Sequence, residues 1–210
     1  VRTRIKFCGC TDLRDVMLAV ETGADAIGMI FAPSPRRITE SSARHIAEHL
    51  PPFITPVGVF VNPTRDEVGR ARDIFPDLVI QLHGDESPQF VSSLDGKVIK
   101  TVHVPHDATD SNAVELAANQ HPRAILLFDT VVDGKRGGTG VTFPWRAVAP
   151  IARERQIIVG GGLNPENVPA CVRAVRPFGV DVRSGIETDG RKDAMKMRAF
   201  VKAVKDSDAA

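Results

Sequence analysis

The sequence predicts an α/β protein built as one closed (β/α)8 barrel, and three observations carry that prediction. Short apolar, β-branched runs alternate with longer segments of helical spacing from one end of the 210-residue chain to the other. About eight such runs occur, the number that closes a barrel. No Ser/Gly-rich linker or low-complexity segment divides the chain, so residues 1–210 are expected to form a single domain.

The strand candidates, in order, are Thr3 to Phe7, Ala26 to Phe31, Thr55 to Phe60, Val79 to Leu82, Val98 to Val102, Ala124 to Phe128, Gln156 to Gly160 and Gly179 to Val182. Between them, Leu13 to Thr22 reads as a helix that stops at Gly23, a residue suited to the left-handed C-cap. Ser41 to Leu50 reads as a second, ending against Pro51 and Pro52. Asn164, with Pro165 at the first helical position, opens another, and Lys192 to Val204 supplies a last amphipathic helix. The fourth and fifth helices carry the weakest signals, and Asp206 to Ala210 read as a frayed tail. A doubly wound open sheet shows the same alternation; the strand count favours the closed form.

Composition narrows the function classes. Lys and Arg total 27 against 26 Asp and Glu, a formal net charge of +1, so there is no cationic excess for a nucleic-acid backbone. No window approaches the roughly 18 consecutive apolar residues of a membrane span. The start, Val1-Arg2-Thr3-Arg4, leads into a strand and not into a signal-peptide core, so a cytoplasmic location is expected. Cys8, Cys10 and Cys171 form an odd set in a chain large enough to bury a core, which favours reduced thiols over a disulfide framework.

In such barrels the chemistry sits at the C-terminal ends of the strands. The residues there are Cys8 and Gly9 after the first run, the loop with Arg36 after the second, His83 after the fourth and Asp129 after the sixth. Gly161 and Gly162 follow the seventh, and Ser184 and Gly185 the eighth. Glycines at the last two ends let backbone N–H groups approach an anion, which predicts phosphate-binding loops after strands seven and eight. Lys6 shares the inward face of its strand with Cys8, and Asp181, on the strand that closes beside the first, is expected to pair with it.

The segments KFCG at 6–9, SPR at 34–36, QLHGDE at 81–86, Asp129-Thr130, GGTG at 137–140, GGLNPENV at 161–168 and VRPFGVDV with SGIE through Glu187 run in order over nearly the whole chain. Together they resemble the phosphoribosylanthranilate isomerase family of tryptophan biosynthesis. The resemblance implies an Amadori rearrangement of N-(5-phosphoribosyl)anthranilate to 1-(2-carboxyphenylamino)-1-deoxyribulose 5-phosphate, with no metal and no cofactor. It assigns Cys8 as general base, Asp129 as general acid and Arg36 to the anthranilate carboxylate. Gly161, Gly162, Ser184 and Gly185 would hold the phosphate, and His83 would line the site without a proton-transfer role. The implied partner is a small phosphorylated substrate, with the chain a monomer or homodimer.

The residue types suit that chemistry. A free Asp, with a pKa of about 3.9, is ionised near neutrality, but Asp129 follows the apolar run Ala-Ile-Leu-Leu-Phe, and desolvation raises a carboxyl pKa. Closure of the Gly137 to Gly140 loop is expected to complete that desolvation. Cys8 must become a thiolate, and the Lys6 ammonium is expected to lower its pKa. The planar fork of Arg36 fits a carboxylate through two parallel hydrogen bonds. The plain alternatives are a buried inert thiol, a loop-capping Asp and a surface Arg; the strand-end positions favour the functional readings.

Other signals are weaker. His45 and His49 sit one helical turn apart without a third ligand and read as a solvated face, and Cys8 and Cys10 have no partner pair. Trp145 reads as an anchor of the sixth helix. The chain departs from the family pattern at Val141 and Pro144, where Lys and Asp are usual, and at Arg183, where a small Ser is usual. Arg183 either adds a cation that tightens substrate binding or points outward. Rival readings are another phosphate-binding barrel, such as an indole-glycerol-phosphate synthase, disfavoured by the short chain and the Cys in place of a Lys, or a broader-specificity sugar isomerase, and a silent barrel that binds phosphorylated metabolites as a sensor or scaffold, disfavoured by the joint presence of Cys8 and Asp129.

Overall fold

A computed structural model describes residues 2–108, 111–132, 135–136 and 140–209, with side chains at all of these except 111, 135 and 136. Eight parallel strands form a closed ring in chain order: β1 (Arg4–Cys8), β2 (Ala26–Ile30), β3 (Thr55–Phe60), β4 (Val79–Leu82), β5 (Val98–Pro105), β6 (Ile125–Val132), β7 (Ile157–Val159) and β8 (Gly179–Val182). Closure comes from β8 pairing with β1, with Lys6 opposite Asp181. The helices α1 (Leu13–Thr22), α2 (Glu40–His49), α3 (Arg65–Ile74), α4 (Pro88–Ser92), α5 (Ser111–Asn119), α6 (Ala149–Glu154), α7 (Val168–Val175) and α8 (Ala194–Asp208) alternate with them. The expected (β/α)8 barrel is therefore the observed one.

Local chemistry sets the helix ends. Asp12 accepts the N–H of Asp15 at the start of α1, and Gly23, at φ 96°, ends that helix by donating to Ala19 and Val20. Thr64 and Glu67 cap α3 reciprocally. Among the described residues, no helix is long and apolar enough to cross a membrane.

The structure corrects several expected boundaries. β6 runs on to Val132, so Asp129 lies within a strand, paired with His103 of β5. The helix expected to open at Asn164 begins at Val168; the Asn164 carboxamide instead accepts the N–H groups of Glu166 and Asn167 and folds the preceding segment into a turn. The expected frayed tail is helical through Asp208, whose carboxylate accepts the backbone N–H and the hydroxyl of Thr3 at 2.7 Å each. The Gly137 to Thr139 part of the expected lid lies outside the described residues.

Alternation along each strand divides the interior in two. Phe7, Ile27, Ile80 and Phe128 face outward and pack with Val16, Ile46 and Phe200 of the helices. Val57, Val79, Ile99, Leu127 and Ile158 fill the bottom of the ring. Polar side chains take over one layer higher, and they carry the site.

The loop after β4 is fixed from below by a buried ion pair. Lys100 of β5 donates to Glu86 at 2.8 Å and to the Gly84 carbonyl at 2.6 Å, while Glu86 accepts the N–H groups of Asn62 and Gly84. Removing one partner of such a pair strands a charge away from water. Lys100→Met is expected to cost about 3 kcal/mol of stability, read from the urea unfolding midpoint, with Lys100→Met/Glu86→Leu recovering part of it. A midpoint unchanged by Lys100→Met would mean that the loop does not depend on the pair.

Candidate active site

β1, β2 and β8 supply the basic side of the site. Lys6 and Cys8 both point inward, and Lys6 donates to Asp181 at 2.7 Å inside the ring. Room for them comes from Gly28 on β2, where a Cβ atom would lie 2.9 Å from the Lys6 Nζ and 3.0 Å from the Cys8 Sγ. Beyond Cys8 the backbone turns through Gly9 at φ 77°, and the N–H groups of Gly9 and Cys10 both donate to the Gly28 carbonyl.

Burial draws the Lys6 pKa down, but Asp181 and Cys8 more than offset it, so Lys6 stays charged. Burial pushes the Cys8 thiol up; Lys6 pulls it down, Asp181 opposes that pull, and Lys192 and Arg183 pull it down further. The effect expected of Lys6 has the right sign, but desolvation outweighs it and the free site holds a thiol.

The acidic side stands opposite, on β4, β5 and β6. Asp129 is 8 % exposed, and its Oδ1 accepts the N–H of Thr130 at 2.7 Å. Desolvation first and the charge of Asp181 second raise its pKa to about 6, against the lowering effects of the Thr130 N–H, Arg183 and Lys6. His83 places Nε2 3.7 Å from the Asp129 Oδ2. Burial, then His103 and the cations Lys6, Arg183 and Lys100, hold the His83 pKa down to about 3, so this contact is between a neutral ring and a carboxyl group. Thr101 lies 3.1 Å from the His83 Nδ1, and the His103 ring packs edge-on against it.

The glycine loops lie beside the acid. The N–H groups of Gly161 and Gly162 take no hydrogen-bond partner among the described residues. Asn167 secures their loop by donating to the Gly162 carbonyl at 2.9 Å while accepting the N–H of Asn164 at 2.9 Å. Gly185 serves packing: a Cβ there would collide with the Leu163 carbonyl.

These sides enclose one cleft of about 210 Å³, lined among others by Cys8, His83, Asp129, Gly161, Gly162 and Ser184. Asp181 and Arg183 line it too, whereas Lys6 lies below it and Gly185 behind it. Arg36 does not line this cleft either. It borders a neighbouring cavity of about 460 Å³ and donates to Glu187 at 2.7 Å. Glu187 in turn accepts from Lys192, which also donates to the Cys8 carbonyl at 2.6 Å. Sequence reasoning missed Lys192, Gln81 and Thr101 as members of this surrounding; an inward position on β4 or β5 was the available signal for the last two. His45, Glu48 and His49 bring ligand-type atoms within 4.8 Å of one another on the exposed side of α2.

A closed barrel with a thiol, a raised carboxyl group and a glycine cradle around one cleft defines an acid–base enzyme for an anionic substrate. The family model described as N-(5'-phosphoribosyl)anthranilate (PRA) isomerase matches residues 5–203, and the chain belongs to that family. It is 42% identical over 206 residues to the N-(5'-phosphoribosyl)anthranilate isomerase of Desulforudis audaxviator, covering 98% of this chain and 99% of that one. It is 44% identical over 209 residues to that of Pseudomonas fluorescens strain SBW25, covering 99% and 98%. Among solved structures, the phosphoribosyl anthranilate isomerase of Thermotoga maritima superposes with a TM-score of 0.87 at 37% identity, covering 97% and 99%. A phosphoribosyl anthranilate isomerase in complex with reduced 1-(o-carboxyphenylamino)-1-deoxyribulose 5-phosphate superposes at 0.84 with 36% identity, covering 97% and 99%.

A carboxyl group whose folded pKa exceeds its unfolded value penalises the fold. The penalty is absent below the unfolded value of 3.8, grows as pH rises and is complete above about 6. Roughly two pKa units correspond to about 3 kcal/mol. Asp129→Asn, which keeps an acceptor for the Thr130 N–H, is therefore expected to raise the urea midpoint at pH 8 and to leave it unchanged at pH 3. A variant no more stable than wild type at pH 8 would mean that Asp129 is not held up.

Proposed function

We propose that this chain catalyses the Amadori rearrangement of N-(5-phosphoribosyl)anthranilate to 1-(2-carboxyphenylamino)-1-deoxyribulose 5-phosphate in tryptophan biosynthesis, by general acid–base catalysis. One observation carries the assignment of roles: Cys8 and Asp129, the latter raised to about 6, line the same cleft as Gly161 and Gly162, whose N–H groups take no partner among the described residues. The whole chain acts as one catalytic domain, in the cytoplasm, as a monomer or homodimer. A relative from Thermotoga maritima is described as dimeric.

Asp129, in its protonated form, gives its proton to the ribose ring oxygen as the C1–O bond breaks and the nitrogen lone pair forms the iminium. Cys8, as thiolate, then takes the proton from C2, and the electron pair flows to the nitrogen to give the enolamine, which tautomerises to the ketose. Lys6 steadies the thiolate from below, and Asp181 holds Lys6 in place. Neutral His83 sits against the acid without serving as its proton source, since it is not an imidazolium above about pH 3. The N–H groups of Gly161, Gly162 and Ser184 receive the phosphate. Arg36, which keeps Nε without a partner among the described residues, turns its remaining donors to the anthranilate carboxylate from the rim.

Cys8→Ala and Asp129→Asn are each expected to lower kcat/KM for N-(5-phosphoribosyl)anthranilate by about 100-fold or more. Full activity in either would remove that residue from its role. Arg36→Met is expected to raise KM with a smaller change in kcat; an unaltered KM would place the carboxylate elsewhere.

The pH profile carries an independent signature. Asp129 loses its proton near pH 6 and Cys8 only above the usual thiol range, so the productive pair of carboxylic acid and thiolate is the rarer form of the singly protonated site. In wild type kcat/KM should rise with pH through about 6, level off, and fall in the alkaline range. Asp129→Asn should lose the limb near pH 6, because that limb is the ionisation of this carboxyl group. An unchanged limb would mean another group sets it.

A further inference from the structure

The sequence leaves Arg183 either beside the substrate or pointing outward, and the structure puts it at the cleft. It follows β8 one residue beyond Val182, on the same face as Asp181, and its side chain lines the cleft. Its carbonyl accepts the Ile186 N–H, but among the described residues its guanidinium makes no hydrogen bond and no ion pair. Its stem crosses toward β1 and lies over Gly9: a Cβ at Gly9 would be 3.3 Å from both Cγ and Cδ of Arg183 and 3.4 Å from the Cδ of Arg36. The two arginine stems thus converge on one point above the first strand. The glycine cradle lies on the other side of β8, at the end of β7, so Arg183 leans away from it.

We propose that Arg183 is a second ligand of the substrate's aryl carboxylate, shared with Arg36; this rests on the isomerase reading above. The substrate brings two anionic groups to a cleft already lined by the carboxyl groups of Asp129 and Asp181. The glycine N–H groups serve one of them. At the other end Arg36 has Nη2 committed to the buried carboxylate of Glu187, so it cannot present its full fork without giving up that pair. Arg183 has no such commitment, and a guanidinium can meet a carboxylate through two parallel hydrogen bonds. A small residue at 183 would leave the carboxylate to Arg36 alone.

The test uses two probes on the full chain: reduced 1-(o-carboxyphenylamino)-1-deoxyribulose 5-phosphate, and the same compound with phenyl in place of carboxyphenyl. Binding is read by calorimetry with wild type, Arg183→Met, Arg183→Lys and Arg36→Met. Arg183→Met is expected to weaken the carboxylated probe about 10-fold or more and the phenyl probe less than about 2-fold, with Arg183→Lys in between. Parallel losses on both probes would assign Arg183 to the phosphate and overturn the proposal. So would an Arg183→Met protein that binds both probes as wild type does while Arg36→Met alone loses the carboxylated one. Wild type that binds neither probe would instead sink the isomerase reading itself, and turnover of N-(5-phosphoribosyl)anthranilate by wild type tells these failures apart.

Discussion

Inside the ring, the Lys6–Asp181 pair joins the first strand to the last, and the electrostatics of the cleft are arranged around it. Two charges taken out of water are stable only when geometry and neighbours compensate, and here they meet at 2.7 Å at the seam where the barrel closes. The pair acts on Cys8 and Asp129 with opposite signs. Lys6 pulls the Cys8 thiol down while Asp181 pushes it up, and Asp181 pushes the Asp129 carboxyl up while Lys6 pulls it down. A lone lysine would ease the thiolate but also ionise the acid. Keeping the aspartate beside it preserves a protonated carboxyl group in the cleft that Cys8 also lines.

Desolvation is the larger influence on both groups, and it sets the character of the free site. It raises the thiol and the carboxyl group together, so Cys8 starts protonated and Asp129 stays partly protonated to about pH 6. The proposed chemistry therefore uses a minority form, and the fold bears the cost of a buried carboxylate at neutral pH. His83 belongs to the same economy of charge. Held neutral by burial and by the surrounding cations, it covers the acid without forming a salt bridge that would drive the acid to ionise.

How much of this was legible in the sequence follows from the range of the interactions involved. The rule that barrel chemistry sits at strand ends located Cys8, His83, Gly161 and Ser184, because each depends only on where an apolar run stops. The Lys6–Asp181 pair was also readable, since period two and ring closure together force those residues to face each other. What failed depended on partners distant in the chain. Asp129 lies inside β6 because His103 and its neighbours extend the β5 ladder, which the run Ala124 to Phe128 does not announce. Asn164 looks like a helix start, yet its carboxamide is taken by a turn that serves Gly162. The pairing of Arg36 with Glu187 spans 151 positions, and no local pattern announces it.

Gly161 ties the acid to the anion cradle more tightly than a flexible-loop reading would suggest. At φ 79° it adopts a conformation that L side chains resist, but the space around it is the stricter limit. A Cβ there would collide with the Thr130 hydroxyl and lie 2.7 Å from the Asp129 Oδ1. The glycine is therefore required by the acid as well as by any phosphate, since a side chain would displace the strand that carries the carboxyl group. Its bare backbone packs against Asp129 and Thr130 and also lines the cleft. Desolvating Asp129 and shaping the proposed anion cradle are thus two faces of one packing constraint.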